Sequence, residues 1–181
     1  DGDEEGYVRR RGRYGSNDAD EVRSGGDGPE IAPISPRRIV FPSNFTPGSI
    51  VIDTRGRRLF LVESPESALY YPISVGREGF SWNGTETISR KAEWPDWHPP
   101  EEMRERDPSL PVKMTGGLRN PLGAAALYLG KTLYRIHGTN DANSIGRAAS
   151  SGCFRMLNGH VIDLAGRVDV GTSVQVVSRL P

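Results

Sequence analysis

The stretch SIVIDTRGRRLFLVES, residues 49–64, decides the fold class. Ile50 and Ile52 alternate with Val51 and Asp53, Arg55-Gly56 supplies a tight turn, and Leu59, Phe60 and Leu61 resume the apolar run. Two short β-prone runs parted by a glycine-bearing turn are a hairpin signature. The same pattern recurs outward from it. ALYYPISVG (68–76) reads as a third strand closed by Gly76, and AALYLGKTLYRIHG (125–138) as a second hairpin turning at Gly130-Lys131 with His137 near its end. SVQVVSR (173–179) reads as a final strand. The one extended helical pattern is NGHVIDLAGRV (158–168), with Asn158 as N-cap and Val161, Leu164, Ala165 and Val168 at helical spacing. EEMRER (101–106), after Pro99-Pro100, reads as a short helix with acids in its first turn. The expectation is a mostly β fold with one or two short helices.

Composition agrees. The 22 glycines and 14 prolines in 181 residues imply many turns. Formal net charge is zero but uneven: residues 1–30 carry nine acids and five bases, leaving 14 acids and 18 bases beyond them. Residues 1–36 hold few apolar side chains and read as a flexible tail or linker; organisation changes at RRIVFP (37–42), so 37–181 reads as one domain. Residues 81–111 read as a Trp/Pro-rich insertion. No Lys/Arg run interleaves with aromatics, which argues against nucleic acid as a partner. No apolar run reaches the roughly 20 residues of a membrane span, and the first residues lack the basic-then-apolar pattern of a secretory leader.

The chemistry concentrates in IHGTNDANSIGRAASSGCFRM (136–156). It contains the only cysteine, Cys153, sixteen positions after His137. A thiol attacks as its thiolate, and a free cysteine has a pKa of about 8.5, so fast reaction near neutrality needs a base or a positive environment. His137 is a candidate base, Arg155 a fixed positive charge, and Gly152 leaves room for a carbonyl to approach backbone N–H groups at Gly152 and Cys153. The residues alone leave alternatives open: a buried structural cysteine with a satisfied core histidine, a redox-sensing thiol, or a metal held by His137, Cys153 and His160. Against the metal stand the lack of paired ligand spacings and the place of His160 in the first helical turn, expected to face solvent. His98, beside two prolines, is expected at the surface. Ser150 and Asn120 are expected to cap their turns.

IHGTN (136–140), SIG (144–146) and SSGCFRM (150–156), followed by LNGHVIDLAGRVDVGTSVQVV (157–177), resemble the L,D-transpeptidase (YkuD-type) catalytic domain family. PGSIVIDTRGRRLFLV (47–62), YPISVGR (71–77) and NPLGAAALYL (120–129) are similar to it too, and residues 76–100 resemble an α-proteobacterial subgroup. The resemblance implies a β-sandwich and a cysteine acyltransferase without a cofactor, acting on peptidoglycan stem peptides in the periplasm. Cys153 would be the nucleophile, His137 the base, the Gly138 carbonyl the group orienting the imidazole, and the N–H groups of Gly152 and Cys153 the oxyanion hole. The acceptor would be another stem or an amine of an outer-membrane protein. Hydrolysis of the same thioester, as an L,D-carboxypeptidase, and a non-catalytic wall-binding module are the alternatives. Many relatives carry His where this chain has Ser151, which is left at most a hydrogen-bonding role. Arg155 would bind a stem carboxylate or else balance a nearby charge. Trp94 and Trp97 would shelve the peptide or pack the insertion. Tyr134 and Arg135 are expected on opposite faces, one of them in the cleft.

Overall fold

The computed structural model describes residues 21–147, 149 and 153–181, with the backbone alone for Glu78. The tail reading for residues 1–20, and the roles expected of Ser150, Ser151 and Gly152, lie outside the described residues. In chain order the elements are β1 (Val22–Arg23), β2 (Arg37–Val40), β3 (Ile50–Asp53), β4 (Arg58–Ser64), β5 (Ser67–Pro72), β6 (Ser74–Val75), α1 (Arg77–Phe80), β7 (Gly84–Glu93), α2 (Glu101–Arg106), β8 (Lys113–Met114), β9 (Ala125–Leu129), β10 (Arg135–His137), β11 (Phe154–Arg155), α3 (Asn158–Arg167) and β12 (Ser173–Val177).

Ten strands form one sheet in the order β2-β5-β4-β3-β12-β7-β9-β10-β11-β6. The hairpin of residues 49–64 forms as read: Ile50 pairs with Leu61 and Ile52 with Leu59, while Asp53 accepts from Gly56 N across the turn. Both of its strands are buried on both faces. Ile50, Ile52, Leu59 and Leu61 face the main core, and Val51, Phe60 and Val62 face a smaller cluster with Phe41 and Ala68. Two-sided burial explains the near-continuous apolar run.

The chain read as one strand over 68–76 is two. β5 pairs with β4, whereas β6 leaves for the far edge of the sheet and pairs with β11. Residues 81–111 are not all insertion, because β7 is a central strand. Its first half pairs with β12 and its second half with β9, with the register shifting between Ile88 and Arg90. Such a shift bends the strand, so the second half of the sheet swings over the first. Ile136, Phe154, Leu127 and Leu129 thereby meet Ile50, Leu59 and Val174 in the main core. Two layers of mostly β structure, with α3 packed at their margin, are the observed architecture.

Residues 21–36 run against this body. β1 pairs with β8, Arg119 N and Leu118 N donate to Gly25 O and Asp27 O, and the Trp94 indole donates to Pro29 O. Ile34 N then donates to Gly159 O on α3. This strap is held largely by hydrogen bonds to its backbone, with Ile34 against Gly159 and Gly28 under the Trp94 ring as its apolar contacts, so a composition rule based on apolar content does not detect it.

Candidate active site

The pairing of β10 with β11 sets the site. The two strands run parallel with Ile136 opposite Phe154 and His137 opposite Arg155. Alternation along a strand turns Ile136 and Phe154 to one face, and both are fully buried in the core. Extended by one residue, the register sets Cys153 beside Arg135. Arg135, His137, Cys153 and Arg155 therefore share the opposite face, and all four line one cleft of about 440 Å³. Its remaining walls are largely apolar and include Trp97, Met103, Leu122, Leu133 and Tyr134. Cys153 is 6% exposed and touches the core as well as the cleft, so it sits on the cleft floor. Its Sγ lies 3.9 Å from the Leu133 carbonyl oxygen.

His137 is 1% exposed, and its Nδ1 lies 2.7 Å from the Gly138 carbonyl oxygen. A carbonyl only accepts, so Nδ1 carries the proton and Nε2 presents a lone pair. No partner satisfies Nε2 among the described residues. Burial pushes the His137 pKa down to about 3; the Gly138 carbonyl opposes this, and the charges of Arg135 and Arg155 reinforce it. The resting imidazole is neutral and oriented. Burial also holds the Arg155 guanidinium below its ordinary range, with Asp141 opposing, and its Nη1 is 3.4 Å from Ser144 Oγ.

Two side chains hold the backbone around His137. Asn158 is not the N-cap of α3, a place taken by Leu157; it is the first helical residue, and its Oδ1 accepts from Ala124 N and Thr139 N, both at 3.0 Å. Its carboxamide is committed to joining the start of β9 to the chain just past His137. A Cβ on Gly138 would overlap Asn158 Oδ1, so only glycine fits there. Asn120, fully buried, accepts from Leu122 N and donates to Pro95, Met114 and Thr115 carbonyls, fixing the loop behind the cleft wall.

Of the aromatic candidates, Tyr134 and Trp97 line the cleft. Tyr134 stacks on Trp82 with ring centroids 4.5 Å apart. Arg135 lines the cleft as well, against the expectation that only one of the two would. Tyr134 precedes β10, so strand alternation does not govern it. Trp94 is absent from the cleft lining; its indole holds the strap at Pro29 and packs over Gly28. His160 is 8% exposed rather than solvent-facing, with its ring edge-on to Tyr71 at 5.4 Å. Among the described residues no three His, Cys, Asp or Glu side chains gather as a metal site. No helix among them is long and apolar enough to cross a membrane.

A two-layered, mostly β domain with a thiol and an oriented imidazole on one cleft face is the class these features define. The family model described as the YkuD L,D-transpeptidase catalytic domain matches residues 47–176, and the chain belongs to that family. The probable L,D-transpeptidase ErfK/SrfK of Escherichia coli K12 is 35% identical over 150 residues, covering 80% of this chain and 48% of that one. The chain spans about half the length of the curated E. coli relatives ErfK/SrfK and YbiS. A crystal structure from Brucella melitensis, described as a probable carnitine operon oxidoreductase, is 46% identical with a TM-score of 0.55, covering 80% of this chain and 94% of that one. The catalytic domain of the Enterococcus faecium L,D-transpeptidase shares the fold at 17% identity and a TM-score of 0.54, covering 75% of this chain and all of that one.

Proposed function

We propose that this chain is a cysteine-dependent L,D-transpeptidase of peptidoglycan stem peptides. The observation that carries the reading is the common cleft face of Cys153 and His137, with Nδ1 committed to Gly138 and Nε2 left to take a proton. In the first half-reaction the thiol gives its proton to His137 Nε2. The sulfur attacks the carbonyl joining the L-centre of meso-diaminopimelate to D-Ala in a tetrapeptide donor. Backbone N–H groups at Gly152 and Cys153 hold the oxyanion. The C–N bond breaks, the imidazolium protonates the departing D-Ala amine, and a thioester remains. In the second half-reaction an acceptor amine attacks the thioester carbonyl and passes a proton to His137, and the sulfur leaves and is reprotonated. The acceptor is the diaminopimelate of another stem or an amine of an outer-membrane protein, and the reaction belongs to the periplasm.

Arg155, half-buried on the cleft face, holds a stem carboxylate. Tyr134 and Trp97 supply apolar wall for the peptide. The oxidoreductase description of the Brucella protein would require electron transfer instead, and product analysis separates the two. Purified muropeptides incubated with the chain should yield cross-linked products that have lost D-Ala, by mass spectrometry, and Cys153→Ala should yield none. Trimmed tripeptide stems alone would replace this reading with a carboxypeptidase, and unchanged stems would refute both.

A further inference from the structure

The four polar or reactive side chains on the cleft face of β10 and β11 form a small rectangle. Arg155 pairs with His137, and carrying that register one residue beyond the start of β11 sets Cys153 beside Arg135, so the thiol and imidazole occupy one diagonal and the two guanidiniums the other. With about 6.6 Å between alternate residues on a strand and about 4.8 Å between strands, that diagonal is roughly 8 Å between Cα atoms. Among the described residues no carboxylate lines the cleft. The Arg135 side chain is half-buried there, and among the described residues it makes no hydrogen bond or ion pair. A guanidinium offers five donors, and here none of them meets a protein acceptor among the described residues, so all stand open to an acceptor that a ligand brings into the cleft. The fold itself gains nothing visible from this charge.

We propose that Arg135 is a second anion anchor, so that the cleft selects ligands carrying two carboxylates, one held by Arg155 and the other by Arg135, astride the reacting carbonyl. A mono-anion reaches only one of the two guanidiniums, which gives the cleft a preference by charge count. Applied to stem peptides, the inference rests on the proposed function: the carboxylate of the leaving residue and the free carboxylate of the preceding diamino diacid are the two groups available.

The test uses the full chain and two alkylating probes of nearly equal size, iodoacetate and iodoacetamide. Each transfers a carbon to the Cys153 sulfur with loss of iodide, and only the first is an anion. The readout is the iodoacetate-to-iodoacetamide rate ratio, normalised to free N-acetylcysteine, which removes any general change in thiol reactivity. The wild-type ratio should exceed that of the free thiol and fall with added salt. Arg135→Gln should lower it between about threefold and fiftyfold, the range for a unit charge near 7 Å at effective dielectric constants from 80 to 20. Arg135→Lys should recover part of it, and the melting temperature of Arg135→Gln should not drop. A ratio unchanged in Arg135→Gln but collapsed in Arg155→Gln would assign the anion site to Arg155 alone and overturn the proposal. The assay requires no transpeptidation. A chain that keeps the ratio yet makes no muropeptide product loses the stem reading and retains the second anchor.

Discussion

Acidification should destabilise this domain through His137, and the size of the effect follows from its surroundings. Burial first, then the charges of Arg135 and Arg155, push its pKa down to about 3 from an ordinary 6.5, against the pull of the Gly138 carbonyl. The unfolded chain takes up a proton below about pH 6.5 that the folded chain refuses until about pH 3. The contribution is therefore complete above pH 6.5 and is lost as pH falls from there towards 3. Within that window each pH unit costs about 1.4 kcal/mol. Integrated from pH 7 to 4.5, the loss is about 2.5 kcal/mol. In a domain of this size that lowers Tm by roughly 5–10 °C. Burial depresses His160 too, with Asp163 opposing, so it adds to the loss in the same direction.

Scanning calorimetry of the wild type, His137→Gln and His160→Gln between pH 7 and 4.5 separates the contributions. The stability of His137→Gln should fall by about 2.5 kcal/mol less than that of the wild type over this range, whatever its starting value. Parallel curves would refute the neutral, buried imidazole. A thiolate–imidazolium pair already formed at rest predicts the opposite sign, because the thiolate would raise the His137 pKa. A shallow wild-type curve beside a steep Cys153→Ala curve would be its signature.

Incubation with a carbapenem should add one drug mass to the intact chain, and Cys153→Ala should show no adduct in the same mass spectrum. Asn158→Ala strips the acceptor from Ala124 N and Thr139 N, and with each buried donor costing about 1–3 kcal/mol it should lower unfolding free energy in urea by about 2–6 kcal/mol. A Cβ on Gly25 would overlap the Thr115 carbonyl, so Gly25→Val should unseat the strap. It should speed limited proteolysis between residues 21 and 36 and cost about 1–3 kcal/mol, while leaving the main core's near-UV signal in place.

What the sequence disclosed and what it hid divide along one physical line. Elements that bury apolar side chains were legible: β3, β4, β9, β12 and the inner face of α3 all carry the pattern that their burial demands. β7 was hidden because its sequence, GTETISRKAE, has a single fully buried side chain, Ile88. Its place in the centre of the sheet comes from backbone pairing on both edges, and a sequence does not display its backbone bonds. The strap at 21–36 was missed for the same reason. Asn158 misled because the residue type suits a cap equally well, and only the fold reveals two nearer donors. His160 was readable in retrospect, since it lies four residues before Leu164 on the buried face of α3.

The sixteen residues from His137 to Cys153 have their own geometric reason. β10 and β11 are parallel neighbours, and parallel strands cannot be joined by a tight turn; they need a crossover of a dozen residues or more. The chain leaves after His137, passes through Ala142–Ser144 and returns to bring Cys153 onto the same face. A hairpin would also have made the two neighbours, but in antiparallel order the face-sharing partner of each arginine would change. Parallel pairing with this register sets sulfur against imidazole on one diagonal and cation against cation on the other. Shifting β11 by one residue would turn Cys153 and Arg155 into the core and bring Phe154 into the cleft, and shifting β10 would do the same to Arg135 and His137 in exchange for Ile136. The spacing is thus tied to register, and an odd insertion absorbed at the β11 end of the crossover should abolish thiol reactivity more completely than an insertion absorbed in the loop.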